Sequence, residues 1–200
     1  ETGEVVRKLQ AAEFCRDRLC PMCQWRKSLV TFAQVSEIMD WVDAHHAGEF
    51  IPIFLTLTMK NVPSAELGSA ITTILQSWSR MMNKAGNRKP WRVAAGWFRA
   101  LEVTYNKDAN TWHPHMHAVL LVPADYFTNP DKYIDHDAWV AEWRRALRAD
   151  YDPSVDVRTV KGDRAHAVAE VSKYAVKPGD WLDSEDNAGT DGRVLLLATE

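Results

Sequence analysis

A chain of 200 residues, 46% hydrophobic and 26% charged, has material for one cored domain, or for a domain plus a small appendage. Its net charge of −3 excludes an overall polycation, so any affinity for nucleic acid must come from local clusters. No apolar run approaches the roughly 20 residues of a membrane span and no signal peptide is visible, so a cytoplasmic protein without a membrane partner is expected.

The basic residues fall into local groups: Arg16, Arg18, Arg26 and Lys27; Arg80, Lys84, Arg88, Lys89 and Arg92; Arg144, Arg145 and Arg148. Much of the compensating acid lies between Asp180 and Asp191. Read alone, each basic group is a solvated face. The three cysteines, Cys15, Cys20 and Cys23, sit close together. An odd, clustered set is no disulfide framework and suits a reducing compartment. Cys20-Pro21-Met22-Cys23 is a C-x2-C knuckle that can present two thiolates to zinc, and Cys15 offers a third ligand. His45, His46 or a residue outside the sequence would supply the fourth.

A helix is expected from Trp25 to about His46, with Leu29, Phe32, Val35, Ile38, Met39 and Val42 at helical spacing. Ile51 to Met59 reads as a strand. Ser64 is a candidate N-cap for a helix running towards Gly86. A strand ending near Asn106, a polar turn and a returning strand from His113 to Val122 follow. Asp135 opens another helix, Ser154 to Val160 is a short strand, and Arg164 to Val176 is a last helix stopped by Pro178-Gly179. After the cysteines and first helix the order is β-α-β-β-α-β-α. That order implies an α+β fold: an antiparallel sheet with helices packed on one face, of the ferredoxin-like kind. The expected divisions are 1–48 (cysteine-rich segment and helix), 49–178 (the sheet domain) and 179–200 (an acidic end).

His113, His115 and His117 alternate along the returning strand and therefore share one face. If the hairpin closes through a four-residue loop from Asp108 to Thr111, Thr104 lies opposite His115 and Glu102 opposite His117. Glu102 would then sit beside two imidazoles, since directly opposed Cβ atoms are about 5 Å apart. Two histidines and a carboxylate on one face make an open divalent-metal site. In the last helix, Glu170 and Tyr174 are four apart and Lys177 three further on, all along one side. Beside a metal site, a tyrosine there can attack a phosphodiester.

Phe54 to Thr58 (FLTLT), His113 to His117 (HPHMH) and Glu170 to Lys177 (EVSKYAVK), in that order, resemble the motifs of rolling-circle replication initiators of the HUH endonuclease superfamily. The resemblance is to the plasmid group that pairs one catalytic tyrosine with a glutamate, and it spans about residues 15 to 178. Cys15 to Ser28 resembles the cysteine-rich segment that precedes the catalytic domain in that group. The resemblance implies a metal-dependent endonuclease that nicks one strand of single-stranded or hairpin origin DNA, remains linked to the 5′ end and leaves a 3′-OH. Carried over by position, Tyr174 is the nucleophile, Glu170 activates the water of the terminating hydrolysis, and Lys177 orients phosphate or tyrosine. His115 and His117 are metal ligands, with Glu102 the third by register. His113 is an orienting group or DNA contact, and Thr56 and Thr58 line the same face. The implied cofactors are Mn²⁺ or Mg²⁺ for catalysis and Zn²⁺ for structure; the implied partners are origin DNA, a host helicase and a polymerase. Relaxases and single-tyrosine transposases share the chemistry. A non-covalent metal-dependent nuclease and a non-catalytic zinc-and-sheet binding module are the rivals outside the superfamily.

Overall fold

A computed structural model describes residues 13–15 and 20–160. The expected last helix, with Glu170, Tyr174 and Lys177, and the acidic end lie outside the described residues.

Helix α1 (Pro21–His45) starts four residues before the expected Trp25, and Pro21 suits the first turn because it has no amide hydrogen to leave unsatisfied. Strand β1 (Phe50–Thr58) leads through a short 3-10 turn to α2 (Leu67–Met81). Ser64 is not an α-helix cap. It opens the 3-10 turn, and its hydroxyl accepts from Trp112 Nε1 at 2.9 Å. A short helix α3 (Lys89–Val93) precedes the long hairpin β2 (Gly96–Asn106) and β3 (Thr111–Pro123). Helix α4 (His136–Leu147) is capped as expected by Asp135, whose carboxylate accepts from the Ala138 amide at 2.8 Å. Strand β4 (Val155–Thr159) completes the sheet.

All pairings are antiparallel and the strand order is β2-β3-β1-β4. Hairpin strand β3 is thus inserted between β1 and β2, a split βαβ arrangement that gives the expected ferredoxin-like α+β fold. Alternation along β3 sorts the faces. Met116, Ala118, Leu120 and Val122 point to a core shared with Ile74 and Trp78 of α2 and Trp139 and Trp143 of α4. The opposite face carries His113, His115, His117, Val119 and Leu121. There Val35 and Met39 of α1 pack against Leu121, with Phe50 and Phe98 at the margin. So α2 and α4 occupy one face, as expected, while α1 covers the Leu121 end of the other. The histidine end of that second face is not packed against α1. Among the described residues, no helix is long and apolar enough to cross a membrane.

Candidate metal centre

The hairpin turn has the four-residue length the sequence reading supposed but sits one residue earlier in the chain. Asn106 Oδ1 accepts from the Ala109 amide at 3.1 Å, and Asn110 adopts a left-handed conformation (φ 49°), so the loop closes within 107–110. Thr111 therefore becomes a strand residue paired with Asn106. The register differs by two from the expected one: Thr104 faces His113, Glu102 faces His115 and Ala100 faces His117. An even shift preserves the face, so Glu102 still joins the histidines.

Glu102 Oε2 lies 3.0 Å from Nε2 of His115 and 3.0 Å from Nε2 of His117. All three side chains are nearly buried, at 8%, 11% and 7% exposure respectively. A buried carboxylate between two imidazoles needs a hydrogen-bond donor or a cation facing it. The tautomer of His115 sharpens the point. Its Nδ1 is 3.1 Å from the His113 carbonyl oxygen, which only accepts, so Nδ1 carries the proton. In a neutral ring Nε2 then presents a lone pair to the carboxylate, and only a second proton or a cation relieves that contact. Ligand atoms about 3.0 Å apart match neighbouring positions around an octahedral ion with bonds of roughly 2.1 Å. Glu102, His115 and His117 can hold a metal ion.

The surrounding groups hold the rings in place. His117 Nδ1 is 3.1 Å from Thr56 Oγ1, and Phe54 stacks on the same imidazole at 5.6 Å between centroids. Thr56 and Thr58 pair with His117 and His115 across the β1–β3 ladder, and the Thr58 hydroxyl donates to the Ser154 carbonyl at 2.9 Å. The β1–β3 ladder stops at Thr58 and His115, where Pro114 has no amide hydrogen to continue it. Beyond that point the chain leaves the sheet, and Asn61 turns back to place Oδ1 2.7 Å from His113 Nδ1. Burial, and secondarily His115, lower the His113 pKa, so this ring stays neutral around pH 7. Asn61 has no signal in the sequence, because its role arises only where the ladder breaks.

Cys15, Cys20 and Cys23 also converge, with Cys15 and Cys23 sulfurs 3.4 Å apart, and can hold a second metal ion. The amide of Cys23, then the Cys15 thiol, lower the Cys20 pKa. His45 and His46 do not complete this group. They lie at the far end of a 25-residue helix, roughly 35 Å away.

Residues 6–195 match the Replication protein family. The chain belongs to that family. It is 39% identical over 176 residues to "Protein rep" of Streptococcus pneumoniae serotype 2, an overlap covering 86% of this chain and 53% of that protein. It is 36% identical over 211 residues to "Protein rep" of Bacillus amyloliquefaciens, covering 95% of this chain and 60% of the relative. A "Protein rep" from a Bacillus species is 35% identical over 218 residues, covering 98% and 67%. The chain therefore spans between about half and two thirds of the length of these relatives. No solved structure matches it.

Proposed function

We propose that this chain carries the origin-nicking activity of a plasmid rolling-circle replication initiator. The observation that supports the reading is the convergence of Glu102, His115 and His117 in a member of the Replication protein family. Relatives named "Protein rep" favour an initiator over a relaxase or transposase. Two imidazole nitrogens and one carboxylate oxygen suit Mn²⁺ or Mg²⁺, with the imidazoles favouring Mn²⁺. Such an ion, when bound, polarises the scissile phosphate and offsets the charge that develops on it.

The chain's own groups perform the transfer. The Tyr174 phenol oxygen attacks phosphorus, the bond from phosphorus to O3′ breaks, and the phenol proton ends on the departing O3′. The products are a 5′-phosphotyrosine and a free 3′-OH, from which a host polymerase extends behind a host helicase. Glu170, four residues earlier in sequence, takes the proton of the water that later hydrolyses the linkage. Lys177 neutralises charge on phosphate or phenolate. The sequence spacing supports these three roles, since the residues lie outside those described. His113 and Thr56 orient the two ligand histidines, and a structural Zn²⁺ at Cys15, Cys20 and Cys23 fixes the start of α1.

The test is incubation with Mn²⁺ and 3′-end-labelled single strands tiling the origin of the plasmid that encodes the chain. A nick accompanied by a labelled protein–DNA adduct is expected. Cleavage that never yields an adduct would replace this reading with a non-covalent nuclease.

A further inference from the structure

Two basic groups some sixty residues apart in sequence meet on one surface. Arg80, near the end of α2, donates from Nε to the Ala146 carbonyl of α4 at 2.7 Å. Burial, then the charges of Arg148 and Arg145, lower its pKa. Arg145 and Arg88 share Glu142, and Arg144 pairs with Asp152 at 3.0 Å. Among the described residues, no carboxylate pairs with Arg80 or Arg148. Arg144, Arg145 and Arg148 line an open groove of about 390 Å³, with Asp137 and Asp152 also on its wall.

Arg148 is also strained. It ends α4 in the left-handed conformation (φ 58°) that glycine ordinarily takes, at a cost of about 1 kcal/mol. Cations at a helix C-terminus do favour its dipole. That explains Arg144 and Arg145 but not an arginine at the strained position. A strained, exposed cation at Arg148 with no carboxylate partner among the described residues points to an anion from outside the chain.

The groove connects to the metal centre through contacts of the fold. Tyr151 follows Arg148 by three residues, at most about 11 Å of chain. Lys60 Nζ lies 4.1 Å over the Tyr151 ring, and the Lys60 amide donates to the Tyr151 hydroxyl at 3.0 Å. The next residue, Asn61, holds His113, whose carbonyl holds His115. Helix α4 packs on the face opposite the histidines, but Tyr151 and Lys60 lie at the sheet end where β1 stops and β4 begins, so the exposed cations Arg144, Arg148 and Lys60 lead around that end towards the histidine face.

We propose that this line is a phosphate track: Arg144, Arg148 and Lys60 hold the backbone of the DNA strand whose scissile phosphate lies at the metal centre. The proposal rests on the function argued above for its ligand, but its readout is binding rather than nicking. The probe is a fluorescein-labelled 30-base single strand of mixed sequence, titrated with the full chain across a salt series. Each lost phosphate contact lowers the slope of log K against log[salt] by about 0.7 for single strands. The double variant R144Q/R148G should lower it by about 1.4 and weaken binding roughly tenfold at physiological salt. Glycine at 148 suits the left-handed backbone, so the fold should hold, as circular dichroism would report. R26Q/K27Q, which removes equal charge from α1, should leave the slope unchanged.

K60Q alone should lower the slope by about 0.7 and provides the readout if the double variant unfolds. An unchanged slope in folded R144Q/R148G, or in K60Q, would overturn the track, as would an equal loss in the α1 variant. A chain that never forms an adduct yet shows these slope changes would keep the track and lose the nicking mechanism.

Discussion

Glu102 and His115 are directly paired across the β2–β3 ladder, and a single oxygen of the glutamate serves both His115 and His117. Because the His113 carbonyl fixes the proton of His115 on Nδ1, the Nε2 lone pair and the carboxylate oppose each other unless a cation intervenes. Glu102 is therefore a carboxylate that two rings depend on at once. Glu102→Ala should lower Mn²⁺ affinity by more than about a hundredfold, beyond the range found for orienting groups. Isothermal titration of wild type and variant checks this; equal affinities would place the ion elsewhere.

Thr56 would act on a bound ion only through His117. Thr56→Val keeps shape and strand preference but removes the partner of His117 Nδ1. Mn²⁺ affinity should drop about 10- to 100-fold with the circular dichroism spectrum unchanged. Loss of affinity smaller than about threefold would mean that packing by Phe54 alone orients the ring.

The cysteine group should show its chemistry in pH. The Cys20 thiol is held below its ordinary value by the Cys23 amide and the Cys15 thiol, so it ionises at lower pH. In chelator-treated protein, alkylation of Cys20 by iodoacetamide should rise below the ordinary thiol range near pH 8.5, as peptide mapping across a pH series would show. In untreated protein, bound zinc should protect all three thiols. Free reaction of all three without prior chelation, together with no zinc by elemental analysis, would remove the structural-metal assignment.

Tyr174→Phe removes only the hydroxyl of the proposed nucleophile. Nicking and adduct formation should both fall below detection, while strand binding persists, because phosphate contacts do not need the phenol. Glu170→Ala should still nick and link but release product by hydrolysis poorly. A Tyr174→Phe protein that nicks at the wild-type rate, or an adduct mapped to Tyr105, Tyr126, Tyr133 or Tyr151, would show that another group attacks.

Asp135→Ala tests the frame rather than the site. It leaves the Ala138 amide without its carboxylate and should cost about 1 kcal/mol, lowering the melting temperature by about 2–4 °C. Thermal unfolding followed at 222 nm reports it, and an unchanged midpoint would mean that another group or water caps α4.

The sheet was legible in the sequence because its strands alternate and its helices carry apolar stripes at regular spacing. The shared face of Glu102 and the histidines was legible for the same reason: parity survives a register error of two. The register itself was not, since it depends on Asn106 and Asn110 closing the turn one residue early on the β3 side. Nor was the position of α1. Its apolar residues are arranged so that Val35 and Met39 are buried while Trp25, Leu29, Phe32 and Ile38 stay exposed, and periodicity does not tell a packed stripe from an open one. Asn61 was invisible because a departure from a ladder has no local pattern. The convergence of Arg80 with Arg145 and Arg148 needed the packing of α2 on α4.

Four residue pairs, from Asn106 with Thr111 to Val103 with Pro114, separate the hairpin turn from the Glu102–His115 pair. Lys107 to Asn110 are exposed and lie beyond the last pair. The turn can therefore be lengthened or replaced without disturbing the rungs that aim the glutamate. A peptide tag or reporter inserted between Asp108 and Ala109 would project outward from the hairpin tip and give a built-in handle close to the metal centre.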